Sequence, residues 1–297
     1  NTYIVKPSEK VPGSMTRIFE LFEELKLPPG VLNMVHGGKE TVDALLRNPL
    51  IPAISFVGST NVAKYIYQTG VSNGKRIQAQ GGAKNPVVVM PDADPETTVR
   101  IITDSAFGCA GQRCLAASIV MLVGKASEIF TAKFVDTAGA KKTGNGLMEG
   151  VEMGPVISKE SLIRIKGLVN IGLDDGAALL LDGRNIDVPG GENGNFIGPT
   201  ILGNVSSESE IYNTEVFGPV LCIINTESLD EAIKLINKSR YGNSACIFTR
   251  SGAAARKFRH DVLAGNIGVN IGIAAPMAYF PFSGWKESFF GDLHGQS

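Results

Sequence analysis

The chain has 297 residues and a net charge of −1 from 28 basic and 29 acidic side chains. With 43% hydrophobic and 19% charged residues it suits a globular protein with a sizeable core, and its interspersed charges exclude the basic stripe of a nucleic-acid binder. No apolar run approaches the roughly 20 residues that a membrane helix needs.

In chain order, residues 3–5 predict a strand, followed by a helix over 14–25 with apolar positions at Met15, Ile18, Phe19, Leu21 and Phe22. Pro28-Pro29-Gly30 ends that helix, and a strand over 31–35 leads through Gly37-Gly38 into a helix over 40–46. A third strand, 53–57, meets Gly58-Ser59-Thr60, which opens a helix to about residue 67. Strand, turn and helix recur with short links, as in a doubly wound nucleotide-binding sheet. The texture changes after Ala79. Strands are expected over 86–90, 118–123, 220–224, 245–249 and 267–271. Helices are expected from the 92–94 cap to 107, over 127–139, from about 158, over 229–237 and over 253–260. The Gly- and Asn-rich stretch 183–198 reads as an exposed excursion. The whole pattern is α/β with parallel strands. Both ends break off in mid-pattern and read as cuts through a larger protein.

The four cysteines, Cys109, Cys114, Cys222 and Cys246, form neither a close-spaced metal pair nor a dense disulfide framework. They read as free thiols in a reducing compartment, and no metal site is expected. Cys114 follows the small-residue stretch Gly108-Cys109-Ala110-Gly111, where glycines let backbone approach a ligand closely. A cysteine attacks a carbonyl once it is partly thiolate, which a nearby cation such as Arg113 or backbone N–H groups would favour. Cysteines among small residues also occur as plain core, and composition alone leaves both readings open.

Gly111-Gln112-Arg113-Cys114 resembles the Gly-Gln-x-Cys signature of the aldehyde dehydrogenase superfamily. Other segments resemble that family's motifs in the same order: Lys6-Pro7-Ser8-Glu9, Phe56-Val57-Gly58-Ser59-Thr60, Glu215-Val216-Phe217-Gly218-Pro219 and Pro281-Phe282-Ser283-Gly284-Trp285-Lys286. The resemblance implies that Cys114 is the nucleophile, its backbone N–H helping to hold the oxyanion. It implies NAD as cofactor, with Lys6, Glu9 and Lys10 at the adenosine ribose, Ser59 at the pyrophosphate, and Glu215 with Phe217 at the nicotinamide end. A carboxylate at Glu9 would accept from ribose hydroxyls and repel a 2′-phosphate. Each motif has a plainer reading, namely a solvated charge cluster, a Ser N-cap, a salt-bridged Glu and a core Phe.

Hydrolytic members carry Glu-Leu-Gly-Gly-Lys, whose Glu activates the deacylating water. The aligned stretch here, Gln78-Ala79-Gln80-Gly81-Gly82-Ala83-Lys84-Asn85, has no carboxylate, and the Glu position is expected on Ala79 or Gln78. Neither side chain is a general base. A thiol is a better nucleophile than water near neutral pH, so the missing Glu suggests coenzyme A as acyl acceptor. Ala83-Lys84-Asn85, Val89-Met90-Pro91-Asp92-Ala93, Leu181-Asp182-Gly183-Arg184 and Gly268-Val269-Asn270, and more loosely Ser288-Phe289 with Gly291-Asp292, resemble the methylmalonate-semialdehyde dehydrogenase branch. That resemblance implies oxidation of methylmalonate or malonate semialdehyde to propionyl-CoA or acetyl-CoA with loss of carbon dioxide, Arg113 holding the substrate carboxylate. The alternatives are a hydrolytic aldehyde dehydrogenase and a non-catalytic NAD-binding relative.

The expected fold is α/β: part of a doubly wound parallel nucleotide-binding sheet in 1–79, an α/β catalytic thiol domain in 80–272, and a segment, 273–297, returning toward the first. The resemblance further implies that an Asn oxyanion donor and the first half of the nucleotide-binding sheet lie upstream, leaving this polypeptide inactive by itself. It also implies a homo-oligomer, in a bacterial cytoplasm or, for a eukaryotic source, a mitochondrial matrix.

Overall fold

The computed structural model describes residues 1–277 and 279–291. Asp292, part of the Gly291-Asp292 pair noted above, lies outside the described residues. The first part of the chain forms β1 (Tyr3–Val5), α1 (Gly13–Glu24), β2 (Leu32–Met34), α2 (Lys39–Arg47), β3 (Ala53–Val57), α3 (Thr60–Ser72) and β4 (Arg76–Gln80). Next come β5 (Asn85–Val89), α4 (Pro95–Phe107), β6 (Ala117–Val123), α5 (Ala126–Gly139), α6 (Lys159–Asp174), β7 (Ala178–Leu181) and β8 (Thr200–Gly203). The remainder is α7 (Glu210–Asn213), β9 (Val220–Thr226), α8 (Leu229–Lys238), β10 (Tyr241–Gly242), β11 (Ser244–Phe248), α9 (Gly252–Asp261), β12 (Asn266–Val269), β13 (Trp285–Lys286) and β14 (Phe289–Gly291).

Two cores follow from two kinds of strand. β5 and β11 are buried along their whole length, as are nearly all residues of β6 and β9, the mark of a parallel sheet covered on both faces. These strands lie in a seven-stranded sheet of order β12-β11-β5-β6-β9-β8-β7, in which only β7 runs antiparallel to its neighbour. Asp94 caps α4 by accepting the Thr97 N–H, with Pro95 at the first turn, and the helix buries Val99, Ile102, Ala106 and Phe107 against the sheet. The smaller core gathers Leu46, Ala63, Ile66, Ile77 and Ala79, under β3 and β4. β4 alternates, with Ile77 and Ala79 inward and Arg76, Gln78 and Gln80 outward, so its apolar content is too sparse to read as a strand from composition. β14 adds to β4 antiparallel, pairing Phe290 with Ala79.

The excursion at 183–198 is exposed in its middle but anchored at its ends. Gly198 N–H donates to Gly183 O at 2.8 Å, Gly183 N–H to Thr200 Oγ1 at 3.1 Å, and Ile197 is fully buried. The strand expected to reach residue 271 stops at Val269. Asn270 turns left-handed (φ 56°), and its side chain accepts from Thr249 N–H and donates to Thr249 O.

β4 and β5 are separated by only Gly81–Lys84. The chain thus leaves the carboxyl end of the smaller sheet and enters the amino end of the larger one within four residues. That junction positions the site.

Candidate active site

Gly82 and Ala83, at the junction, are held from three directions. Gly82 N–H donates to Thr60 Oγ1 at 2.9 Å, Ser288 Oγ donates to Gly82 O at 2.7 Å, and Ala83 N–H donates to Glu215 Oε1 at 3.0 Å. A Cβ on Gly82 would lie 2.7 Å from Glu215 Oε2, so only glycine leaves room for that carboxylate. Thr60 opens α3, Ser288 precedes β14 and Glu215 precedes β9. Three distant parts of the sequence therefore meet at one short link.

Cys114 stands just before β6, at the amino edge of the large sheet. The preceding turn is backbone-strained: Cys109 (φ 51°), Ala110 (φ 53°) and Gly111 (φ 67°) are all left-handed. A Cβ on Gly111 would strike the Gly218 carbonyl, so glycine is required there for both space and conformation. Phe217, left-handed at φ 47°, is the corresponding strained residue on the facing segment. Cys114 O accepts from Asn85 Nδ2 at 2.9 Å and from Asn243 Nδ2 at 2.8 Å, and both carboxamides are buried. These asparagines, to which the sequence assigned no role, come from β5 and from the residue before β11.

Burial, chiefly, pushes the half-buried Cys114 thiol above its ordinary value, and the Glu215 carboxylate pushes it further. Its own backbone N–H and that of Leu115 face the sulfur and pull the other way. The expectation that Arg113 favours the thiolate is corrected. Arg113 lies over Gly108, and its Nε donates to Cys109 Sγ at 3.2 Å, so its charge is turned from Cys114. Arg113 is exposed and lines the same cleft as Ala83, Gly111, Glu215 and Phe217.

Glu215 is largely buried, and burial raises its carboxyl above the usual range against the Ala83 N–H, Lys84 and Arg164, which lower it. Arg164, on α6, fixes the backbone of this segment by donating to Glu215 O at 3.3 Å and Val216 O at 2.7 Å. Phe217 remains partly exposed at the cleft.

The residues expected at the adenosine end come together at the carboxyl ends of β1 and β2. Lys6 Nζ donates to Gly37 O at 2.7 Å and pairs with Glu9 Oε2 at 3.4 Å. The Glu9 backbone N–H, then Lys6, holds the exposed Glu9 carboxyl below its usual range. Lys10 is exposed and donates its backbone N–H to Ser8 Oγ. Ser59 occupies the N-cap position of α3, yet its exposed side chain makes no capping hydrogen bond. The plain N-cap reading of Ser59 is thus not met: its side chain is exposed and leaves the first N–H groups of the helix uncapped.

The position expected for a water-activating Glu is also corrected. Ala79 is fully buried in the smaller core, and Gln78 accepts from Ser55 Oγ within the sheet. The residue at the carboxyl end of β4, four before Lys84, is Gln80. An amide there is no general base either. Among the described residues no group of His, Cys, Asp and Glu could hold a metal ion, and no helix is long and apolar enough to cross a membrane.

The aldehyde dehydrogenase family model matches residues 1–297. The chain is 51% identical over 294 residues to malonate-semialdehyde dehydrogenase 2 of Geobacillus kaustophilus, covering 99% of this chain and 60% of that protein. It is 48% identical over 295 residues to malonate-semialdehyde dehydrogenase of Pseudomonas aeruginosa, covering 99% and 59%. Among solved structures, methylmalonate-semialdehyde dehydrogenase from Oceanimonas doudoroffii superposes with a TM-score of 0.97 at 44% identity, covering 99% of this chain and 60% of that one. Betaine aldehyde dehydrogenase from Staphylococcus aureus in complex with NAD+ superposes with a TM-score of 0.94 at 30% identity, covering 99% and 59%. The chain thus spans about 60% of the length of these relatives.

Proposed function

The chain belongs to the aldehyde dehydrogenase family, and from that premise we propose that the whole protein oxidises malonate or methylmalonate semialdehyde to acetyl-CoA or propionyl-CoA, losing carbon dioxide. One observation carries the acylating part: the strand end leading into the site presents Gln80, where a hydrolytic enzyme needs a carboxylate.

Residues 1–79 serve in dinucleotide binding, 80–272 in catalysis, and 273–297 form the segment returning to the first; the pairing of β14 with β4 supports the last. Lys6, Glu9 and Lys10 hold the adenosine ribose of NAD, Ser59 and the start of α3 the pyrophosphate, and Glu215 with Phe217 the nicotinamide end. The uncapped Ser59 and the paired Lys6 and Glu9 fit such a ligand. Bound there, the dinucleotide supplies the hydride acceptor. Cys114 Sγ adds to the aldehyde carbon, and its backbone N–H donates to the developing oxyanion. Oxidation leaves a thioester on Cys114. Arg113 holds the substrate carboxylate until its C–C bond breaks and it departs as carbon dioxide; the electron pair left on the α-carbon takes up a proton from water, and the coenzyme A thiol then takes the acyl group and passes its proton to the departing Cys114 sulfur. The free thiols favour a reducing compartment, a bacterial cytoplasm or a mitochondrial matrix, and the family resemblance a homo-oligomer.

A hydrolytic reading has one observation in its favour. Glu215 is a carboxylate of raised pKa acting on Cys114, the profile of a general base. Its acceptance of the Ala83 N–H instead fits a ribose-binding role. The nucleophile assignment is tested by Cys114→Ser. NADH formation should fall by about a thousandfold or more, with NAD affinity retained. A variant keeping a tenth of parental activity would overturn it.

A further inference from the structure

The Cys114 carbonyl makes hydrogen bonds unlike those of an ordinary loop carbonyl. It accepts two side-chain amide donors, Asn85 Nδ2 at 2.9 Å and Asn243 Nδ2 at 2.8 Å, 29 and 129 residues away. Asn85 is further locked by donating to Ala116 O at 2.9 Å and accepting Ser244 N–H at 3.2 Å through Oδ1. Among the described residues the Asn243 side chain hydrogen-bonds only to Cys114 O. Buried carboxamides are hydrogen-bonded as a rule, and each of these directs a donor to the nucleophile's own peptide group.

That peptide group ends in the Leu115 N–H, which faces the Cys114 sulfur. Two hydrogen bonds on a carbonyl draw electron density toward oxygen and make the N–H of the same amide a stronger donor. We infer that Asn85 and Asn243 are positioning residues for the reaction: by clamping and polarising the Cys114–Leu115 amide, they aim its N–H at the sulfur and favour the thiolate. They touch neither substrate nor cofactor in this role and act through Cys114. The inference rests on Cys114 being the nucleophile.

The charged groups around this thiol are few among the described residues. Glu215 faces it from the segment before β9 and opposes the thiolate. Arg113 is turned to Cys109. Lys84, fully buried before β5, acts toward Cys222 and Glu215. The backbone N–H groups of Cys114 and Leu115 are thus what favours charge on the sulfur.

The test uses the full-length protein and two variants on different strands. Asn243→Leu removes one donor while keeping a similar volume. Asn85→Asp removes the other donor while keeping the acceptor for Ser244 N–H. Iodoacetamide labelling of Cys114, resolved from exposed Cys109 by peptide mass spectrometry, is followed against pH. Each variant should move the labelling midpoint up by about 0.2–0.6 pH unit. It should also lower kcat roughly three- to tenfold, a fraction of the loss of a direct oxyanion donor, with KM for NAD unchanged. A folded variant whose midpoint is unmoved overturns the inference, and so does failure of both variants to fold, which makes the pair purely structural. Failure of the nucleophile assignment reads differently: in the parent, labelling of Cys114 would leave activity intact.

Discussion

Two side chains at the site carry opposed influences that pH and substitution can separate. Glu215 sits above the usual carboxyl range because burial outweighs the Ala83 N–H, Lys84 and Arg164. As pH falls through that raised value it takes up a proton and loses the charge to which, in the proposed role, ribose hydroxyls would donate. NAD affinity should therefore begin to weaken at a pH above the ordinary carboxyl value of about 4.3, as measured by calorimetric titration. An affinity flat down to that value would count against Glu215 as a ribose ligand. For the fold the sign reverses: a raised native pKa costs stability as pH rises from the unfolded value through the native one, and costs nothing in strong acid. Arg113 is the second case. Its Nε leans on the Cys109 thiol, a weak acceptor. Cys109→Ala should raise KM for a carboxylate-bearing semialdehyde roughly two- to fivefold and leave an uncharged aldehyde unaffected. Equal changes for both substrates would show that the contact does not aim Arg113.

At the scale of elements, the helix starts sort into those capped by their own side chain and those that are not. Asp94, Ser158, Ser228 and Ser251 accept backbone N–H groups of their own first turns, whereas the N-cap serines Ser59 and Ser209 do not; Ser209 Oγ donates instead to Asp175 Oδ2, and Ser59 is left exposed. Asp94→Ala should cost about 1 kcal/mol of stability. Ser59→Ala should stay within about 0.5 kcal/mol yet weaken NAD binding, and thermal melts with and without NAD would show both. A large stability loss at Ser59 would return it to an ordinary cap. The same local chemistry explains what the sequence revealed. The helix opening at Gly58-Ser59-Thr60, the Asp94 cap and the buried runs of β5, β6, β9 and β11 announce themselves through turn residues and unbroken apolar stretches. β4 did not, because Arg76, Gln78 and Gln80 occupy every outward position. Reading through it, we expected the water-activating position at Ala79 or Gln78, and only the alternation of the strand shows that Ala79 faces the core while Gln80 stands at the end.

Over the whole molecule, the site is assembled from segments that sequence spacing does not connect. Asn85 and Asn243 reach Cys114, and Thr60 and Ser288 reach Gly82, across separations of 22 to 206 residues. Motif resemblance singles out Cys114 and Glu215 because their immediate neighbours are distinctive. It included Asn85 and Ser288 only as letters of a resemblance, with no role, and missed Asn243 and Arg164, because what each of them does lies in partners that only the fold brings near. The link Gly81–Lys84 is where both levels meet, since it joins the two sheets, touches Glu215 and follows Gln80. The central claim is that the thioester on Cys114 waits for a thiol. It is tested most directly by NADH formation from malonate semialdehyde, with the full-length protein, in the presence and absence of coenzyme A. Steady-state turnover that requires coenzyme A, with at most a single burst of NADH per site without it, is the predicted result. Full-rate turnover without coenzyme A, yielding free acid, would contradict it.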